Sequence, residues 1–205
     1  DGETPNSTTS EGVTIWSTDG IRYERNLNRN FDRAGLTMVD GWIRVVNDCV
    51  FQNNNRGISS YATAPLNSSL EIGELNTANR NDFNNNQIAI ESYGADGLNS
   101  GSLNVFDNEI DSCFIGVLME GNNEHDIKNN RILNALVGIP VTNSGGQKNY
   151  IQCNDIRNNY YGILYTGNNN LSQFKYNNFA FTFGVEVLLY SFTGTPASVR
   201  SIQGA

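Results

Sequence analysis

One asparagine-marked pattern keeps returning along this chain and constrains its fold more than any other feature. Its copies read VVNDCVFQNNNRGIS (Val45–Ser59), ANRNDFNNNQIAIE (Ala78–Glu91), VFDNEIDSCFIGVL (Val105–Leu118), IKNNRILNALVGIP (Ile127–Pro140) and IQCNDIRNNYYGIL (Ile151–Leu164). A sixth, FKYNNFAFTFGVEV (Phe174–Val187), is one residue short when its glycine is aligned. Self-similarity at a short, nearly fixed period marks a solenoid, whose units bury their apolar side only by stacking on neighbours.

The copies align on a central apolar residue: Phe51, Phe83, Ile110, Ile132, Ile156 and Phe179. Two positions earlier stand Cys49, Asn81, Asn108, Asn130, Asn154 and Asn177. Two positions later stand Asn53, Asn85, Ser112, Asn134 and Asn158. Gly57, Ala89, Gly116, Gly138 and Gly162 follow, each before an apolar residue. Apolar residues alternating with others at period two specify short half-buried strands. Asparagine tolerates left-handed backbone and bonds its neighbours' backbone, so it belongs at the bends. Stacked on itself in successive coils, it also builds an amide ladder. Glycine beside the strand permits close backbone approach.

This pattern resembles the coils of the right-handed parallel β-helix family, the pectate-lyase-like solenoids, over about residues 45–190. The resemblance implies an all-β fold, a right-handed single-stranded parallel β-helix of about six coils with an N-terminal cap. The leucine-rich repeat also carries asparagine at a fixed phase, but its leucine-heavy consensus is absent. The expected organisation is a flexible segment over 1–12, a cap or degenerate first coil over 13–44, the solenoid over 45–190 and a tail over 191–205. Arg22, Arg25, Arg29 and Arg33 stand at near-helical spacing, which suggests a short capping helix. Ala34-Gly35-Leu36 instead suggests a degenerate coil. Insertions at Tyr61–Ser69 and Ser92–Ser102 both follow the glycine-flanked strand, so both are expected at one corner. The apolar run Val185–Phe192 reads as a strand leaving the stack to cover outward apolar columns. The end TGTPASVRSIQGA carries no charged cap, so further sequence or a partner is expected beyond it.

The chain has 33 asparagines among 205 residues, 17% charged residues and a formal net charge of −8. Such an acidic chain lacks the cationic surface that nucleic acid demands. No apolar run approaches a membrane span. The cysteines Cys49, Cys113 and Cys153 fall in separate coils, too distant to pair, and read as free residues. With one histidine and no C-x-x-C, a zinc site is not expected.

Candidate chemistry comes from residues that stacking brings together. Asp82, Glu109, Arg131 and Asp155 share one column, which is either a surface salt ladder or a metal or uronate site. Glu124-His125-Asp126 holds the chain's one histidine, read as a polar turn or a catalytic group. Glu91 and Asp96 border the second insertion and are candidates for cation binding or solvated loop charges. Two outward columns are apolar: Leu118, Pro140 and Leu164 in one, Phe114, Leu136 and Tyr160 in the other. They suit tail packing, a partner or sugar stacking. The resemblance implies carboxylate-bound Ca²⁺ with an Arg or Lys base for lyases, and paired carboxylates for hydrolases. The signatures of polygalacturonase-like and pectin-esterase-like enzymes are absent.

The expectation is a secreted or cell-surface bacterial protein, a non-catalytic adhesion, glycan-binding or structural module, as in Asn-rich bacterial surface proteins. Its partners would be an extracellular glycan or another surface or secretion protein, without nucleic acid or membrane insertion. Its expected cofactor is none, with Ca²⁺ as the exception the resemblance allows. The alternatives are a polysaccharide lyase or glycoside hydrolase acting on acidic glycans, and a segment of a trimeric phage or viral spike.

Overall fold

The computed structural model describes residues 10–63, 69–76, 80–94, 100–144, 149–169, 172–190 and 198–199. The chain winds as a parallel solenoid, each turn giving one strand to each of three sheets. The first turn is β1 (Val13–Trp16), β2 (Asp19–Glu24) and β3 (Leu27–Arg29). The second is β4 (Ala34–Val39), β5 (Trp42–Asn47) and β6 (Val50–Gln52), and the third is β7 (Arg56–Tyr61), β8 (Ser69–Ile72) and β9 (Asp82–Asn84). Then come β10 (Ile88–Tyr93), β11 (Ser100–Phe106) and β12 (Glu109–Asp111), followed by β13 (Ile115–Glu120), β14 (Asn122–Lys128) and β15 (Arg131–Leu133). The sixth turn is β16 (Val137–Thr142), β17 (Asn149–Gln152) and β18 (Asp155–Arg157). The seventh is β19 (Tyr161–Thr166), a short β20 (Asn168–Asn169), β21 (Ser172–Lys175) and β22 (Asn178–Ala180). Strand β23 (Val185–Tyr190) opens a further turn, and β24 (Ser198–Val199) pairs with β20. The first sheet has eight strands and the other two have seven.

The anchors of the repeat all lie in the third sheet and stack in register: Phe51 on Phe83, Phe83 on Ile110, then Ile132, Ile156 and Phe179. The first five are fully buried, and Phe51 and Phe83 stack with centroids 4.9 Å apart. Burying a side chain of this size contributes about 1.5–3 kcal/mol. The first turn offers Asn28 in the anchor slot, opposite Phe51. It is buried at 4% exposure and accepts a hydrogen bond from the Tyr23 hydroxyl at 2.7 Å. A polar residue in that slot hides the first turn from the repeat pattern. The arginines spaced like a helix lie in β2, β3 and their flanks, so this segment is strand and not helix.

Two asparagine columns behave differently. Asn53, Asn85, Asn134 and Asn158 occupy a corner with φ of 55–56°, and each is exposed or nearly so. Asn81, Asn108, Asn130, Asn154 and Asn177 point inward. Asn130, Asn154 and Asn177 each accept the previous turn's backbone N–H and side-chain amide on Oδ1. Asn108 N and Nδ2, for example, both lie 3.0 Å from Asn130 Oδ1. Each also donates to a carbonyl of the turn before, as Asn130 Nδ2 does to Val105 O at 2.8 Å. A second inner ladder lies three residues after the anchor, where Asn54 donates to Asn86 at 3.1 Å and Asn159 accepts from the Ala135 amide. The bends of the coil are thereby satisfied without water, as buried backbone groups require.

A glycine is required where turns approach closely: a Cβ on Gly116 would lie 2.4 Å from the carbonyl oxygen of Gly138. Gly184 falls outside this column. Val185 pairs with Tyr161 and Val187 with Ile163, so the sixth copy is one residue longer than the others at the corner. Strand β23 also stays in the stack as the last strand of the first sheet and does not fold over it. The insertions after β7 and β10 leave from one corner, between the first and second sheets.

Candidate functional site

In every strand of the first sheet, alternate residues face outward, and strand register aligns them into rows. One row runs Thr14, Thr37, Ser59, Glu91 and Leu118. The next runs Trp16, Val39, Tyr61, Tyr93 and Glu120. Over the first three turns these rows and the corner beside them enclose a groove of about 470 Å³. It is lined by Trp16, Arg33, Arg56, Ser59 and Tyr61, with Glu11 at its edge. Trp16 is 64% exposed.

One wall of the groove is held from behind. Glu91, on the neighbouring turn, is fully buried. Its Oε2 accepts from Arg56 Nε, from the Ser59 hydroxyl at 2.7 Å and from the Tyr61 hydroxyl at 3.3 Å. Among the described residues its Oε1 has no hydrogen-bond partner. Three groove residues thus converge on one carboxylate oxygen, which fixes their rotamers. The anchoring uses only Nε of Arg56, so its two Nη groups have no protein partner among the described residues. Tyr93 stacks on Tyr61 with centroids 5.6 Å apart and 10° between planes. Burial, aided by the Glu91 carboxylate, pushes the Tyr93 phenol far above its usual range, so it stays protonated. Arg33 pairs with Glu11 at 3.1 Å across the opposite edge.

The other residues singled out in the sequence lie elsewhere. Glu124, His125 and Asp126 are on strand β14, not in a turn, and alternation parts them. Glu124 is exposed, Asp126 receives a hydrogen bond from Gln152 at 3.3 Å, and His125 faces the core at 1% exposure. The three side chains therefore cannot converge on a substrate. Both ring nitrogens of His125 lack a partner among the described residues, and burial drives its pKa down to about 3. Asp82, Glu109, Arg131 and Asp155 do share a column, on the outside of the third sheet. There Arg131 pairs with Glu109 at 2.8 Å and Arg157 with Asp155 at 2.6 Å. Burial and then Glu109 raise the Asp82 pKa. Tyr160, 47% exposed, stands in a ridge with Phe114, Leu136 and Phe183 beside the C-terminal turns, remote in the stack from the groove. Asp96 lies outside the described residues. Of the site candidates read from the sequence, only Glu91 touches the groove's lining residues, without lining the groove itself. Trp16, Arg33, Arg56 and Tyr61 were missed because no recurring column contains them. An aromatic pair at equivalent positions, Tyr61 and Tyr93, was the available signal.

A search of curated proteins and a search of solved structures return no match. The family model described as "Periplasmic copper-binding protein (NosD)" matches residues 67–182, more than half of the chain. That description gives an envelope location, coarser than the cell surface expected from the sequence. The matched span covers the turns in which the ladder of Asn81, Asn108, Asn130, Asn154 and Asn177 is unbroken, and with the stacked parallel sheets it shows that the chain belongs to the NosD family of periplasmic copper-binding proteins.

Proposed function

We propose that this protein is an envelope β-helix module that binds a glycan in the first-sheet groove without turning it over. The observation that carries the reading is the groove itself: an exposed indole and a phenol line it together with a guanidinium locked through Nε. Aromatic faces bury the apolar side of a sugar ring, and a fixed guanidinium supplies directed donors to its oxygens. Preorganised side chains of this kind lose little entropy on binding. The arginine fork suits a sugar that carries a carboxylate.

Hydrolysis of a glycoside needs two carboxylates facing the scissile bond, about 5–9.5 Å apart. Among the described residues the groove lining contributes one, Glu11, and Arg33 holds it. Glu91 lies sealed behind the wall. This supports binding over catalysis.

The test is a polysaccharide panel read by tryptophan fluorescence, alongside reducing ends and unsaturated-uronate absorbance, with a Trp42→Phe background to isolate Trp16. Saturable quenching without product is the expected result, with retention on an affinity gel of the same glycan lost in Trp16→Ala. Product release from any glycan would replace the binder by an enzyme, and silence across the panel would remove the glycan reading altogether.

A further inference from the structure

Membership of a family described as copper-binding raises the question of which atoms here would hold copper. Copper takes thiolate, thioether and imidazole donors in preference to hard oxygens. The whole sequence contains three cysteines, two methionines and one histidine, and all six lie among the described residues. Each can therefore be followed to its place.

Cys49 and Cys113 occupy rungs of the two inner ladders. Cys49 stands at the head of the first, where Asn81 Oδ1 accepts its backbone N–H at 3.0 Å. Its one S–H is shared between Tyr23 O at 3.5 Å and Asn47 O at 3.2 Å. Tyr23 pairs with Val46, the residue whose carbonyl Asn81 serves one turn later. Asn47 lies two residues back, as Phe106 does from Asn108 and Lys128 from Asn130, and those asparagines donate there too. Cys113 fills the same role in the second ladder. Its Sγ reaches Phe83 O at 3.8 Å, the counterpart of Phe51 O for Asn86 and of Ile132 O for Asn159. Asn86 Nδ2 in turn meets that sulfur at 3.9 Å, in the place where Asn54 Nδ2 meets the Asn86 amide oxygen at 3.1 Å.

A thiol that donates to a carbonyl must keep its proton, whereas a metal ligand must lose it. Burial pushes both thiols up, Cys113 to about 11. Met38 and Met119 are fully buried core residues. Met119 and His125 belong to one turn, but both are sealed from solvent, and a metal site needs an entry path. Cys153 is exposed and occupies a left-handed corner at φ 57°, a single donor. No cluster of three histidine, cysteine or acidic residues forms among the described residues.

We propose that Cys49 and Cys113 are ladder rungs, thiols doing the work of asparagine amides, and that this chain consequently holds no copper of its own. The family's coil is kept here as a frame while its soft donors are spent on closing it. The claim is independent of the glycan reading.

Two measurements on the full chain test it. First, Cu(I) is titrated anaerobically against bicinchoninate, and Cu(II) against glycine, with the parent and with Cys153→Ser. Neither competitor should lose copper to the parent or to Cys153→Ser, and uptake confined to the parent would place copper on the exposed Cys153 and overturn the claim that the chain holds none. Stoichiometric uptake by Cys153→Ser would overturn it. Second, thermal melts compare Cys49→Asn and Cys113→Asn with Cys49→Ala and Cys113→Ala. The asparagine variants should melt at or above the parent and the alanine variants below it. Asparagine variants that melt below their alanine counterparts would show that these slots are not ladder rungs.

Discussion

The N-terminal and C-terminal halves of the first sheet share one inner face and present two different outer ones. Inside, Leu36, Ile58, Ile90, Val117, Ile139 and Ile163 succeed one another, all fully buried. Outside, Thr37, Ser59 and Glu91 give way after the fourth turn to Leu118, Pro140, Leu164 and Leu188. The corner beside them changes likewise, from Asn55 and Gln87 to Phe114, Leu136, Tyr160 and Phe183, exposed at 54%, 39%, 47% and 77%. Backbone pairing is the same in both halves. The inner rows answer to packing and so repeat, whereas the outer rows answer to whatever the protein meets and so diverge. In a solenoid, function is written where the repeat fails.

The largest expected effect strikes what the halves share. Asn130→Ala removes the acceptor of Asn108 N–H and the donor to Val105 O, both buried. Hydrogen bonds lost in this way cost about 1–3 kcal/mol for each orphaned group. Urea unfolding should show a drop of several kcal/mol, and a loss under about 1 kcal/mol would mean that water replaces the rung. Ile132→Ala, one layer away, should cost about 2–5 kcal/mol by the same measurement.

A second experiment concerns acid. His125 is neutral in the fold, with its pKa depressed to about 3, but titrates near 6.5 when unfolded. The unfolded chain therefore binds the extra proton first, and stability present above about pH 6.5 is lost progressively down to about pH 3. Melts of the parent and His125→Leu across that window should diverge in slope, with the parent steeper. Parallel slopes would mean that His125 is hydrated.

Glu91→Gln sharpens the contrast between the outer faces. It weakens the hold on Arg56, Ser59 and Tyr61 together, so glycan quenching should weaken by about tenfold or more, the equivalent of about 1.4 kcal/mol. If the carboxylate merely repelled an anionic sugar, affinity would rise instead. The smallest effect belongs to Leu164→Thr on the apolar half, within about 1 kcal/mol in unfolding and without change in quenching. A large change in quenching from that site would join the two halves into one surface.

The frame was legible in the sequence because its columns repeat one chemistry. The anchors from Phe51 to Phe179 and the rungs from Asn81 to Asn177 are found where the alignment sets them. Legibility failed where a slot is filled by a different residue for the same purpose. Asn28 replaces an apolar anchor and takes its partner from Tyr23 within the turn. Cys113 and Ala135 interrupt the second ladder, which is why its asparagines did not line up. The groove was illegible for a different reason. Arg33, Arg56 and Tyr61 come from two different turns, and only stacking makes them neighbours of Trp16 in a third. Glu124, His125 and Asp126 show the reverse error, since proximity in sequence on a strand sends side chains to opposite faces.

The inter-turn hydrogen bonds, backbone and amide alike, join one coil to the next along the solenoid axis, crossing between strands with the slant of a parallel ladder. The molecule is accordingly anisotropic under load. A tether drawing the two ends apart meets the turns in series, and they peel off singly at low force. A tether pulling across the coil, along the strands, loads a whole set of bonds in shear at once. For a protein of the cell envelope, the direction in which it is anchored would then decide how much tension it withstands.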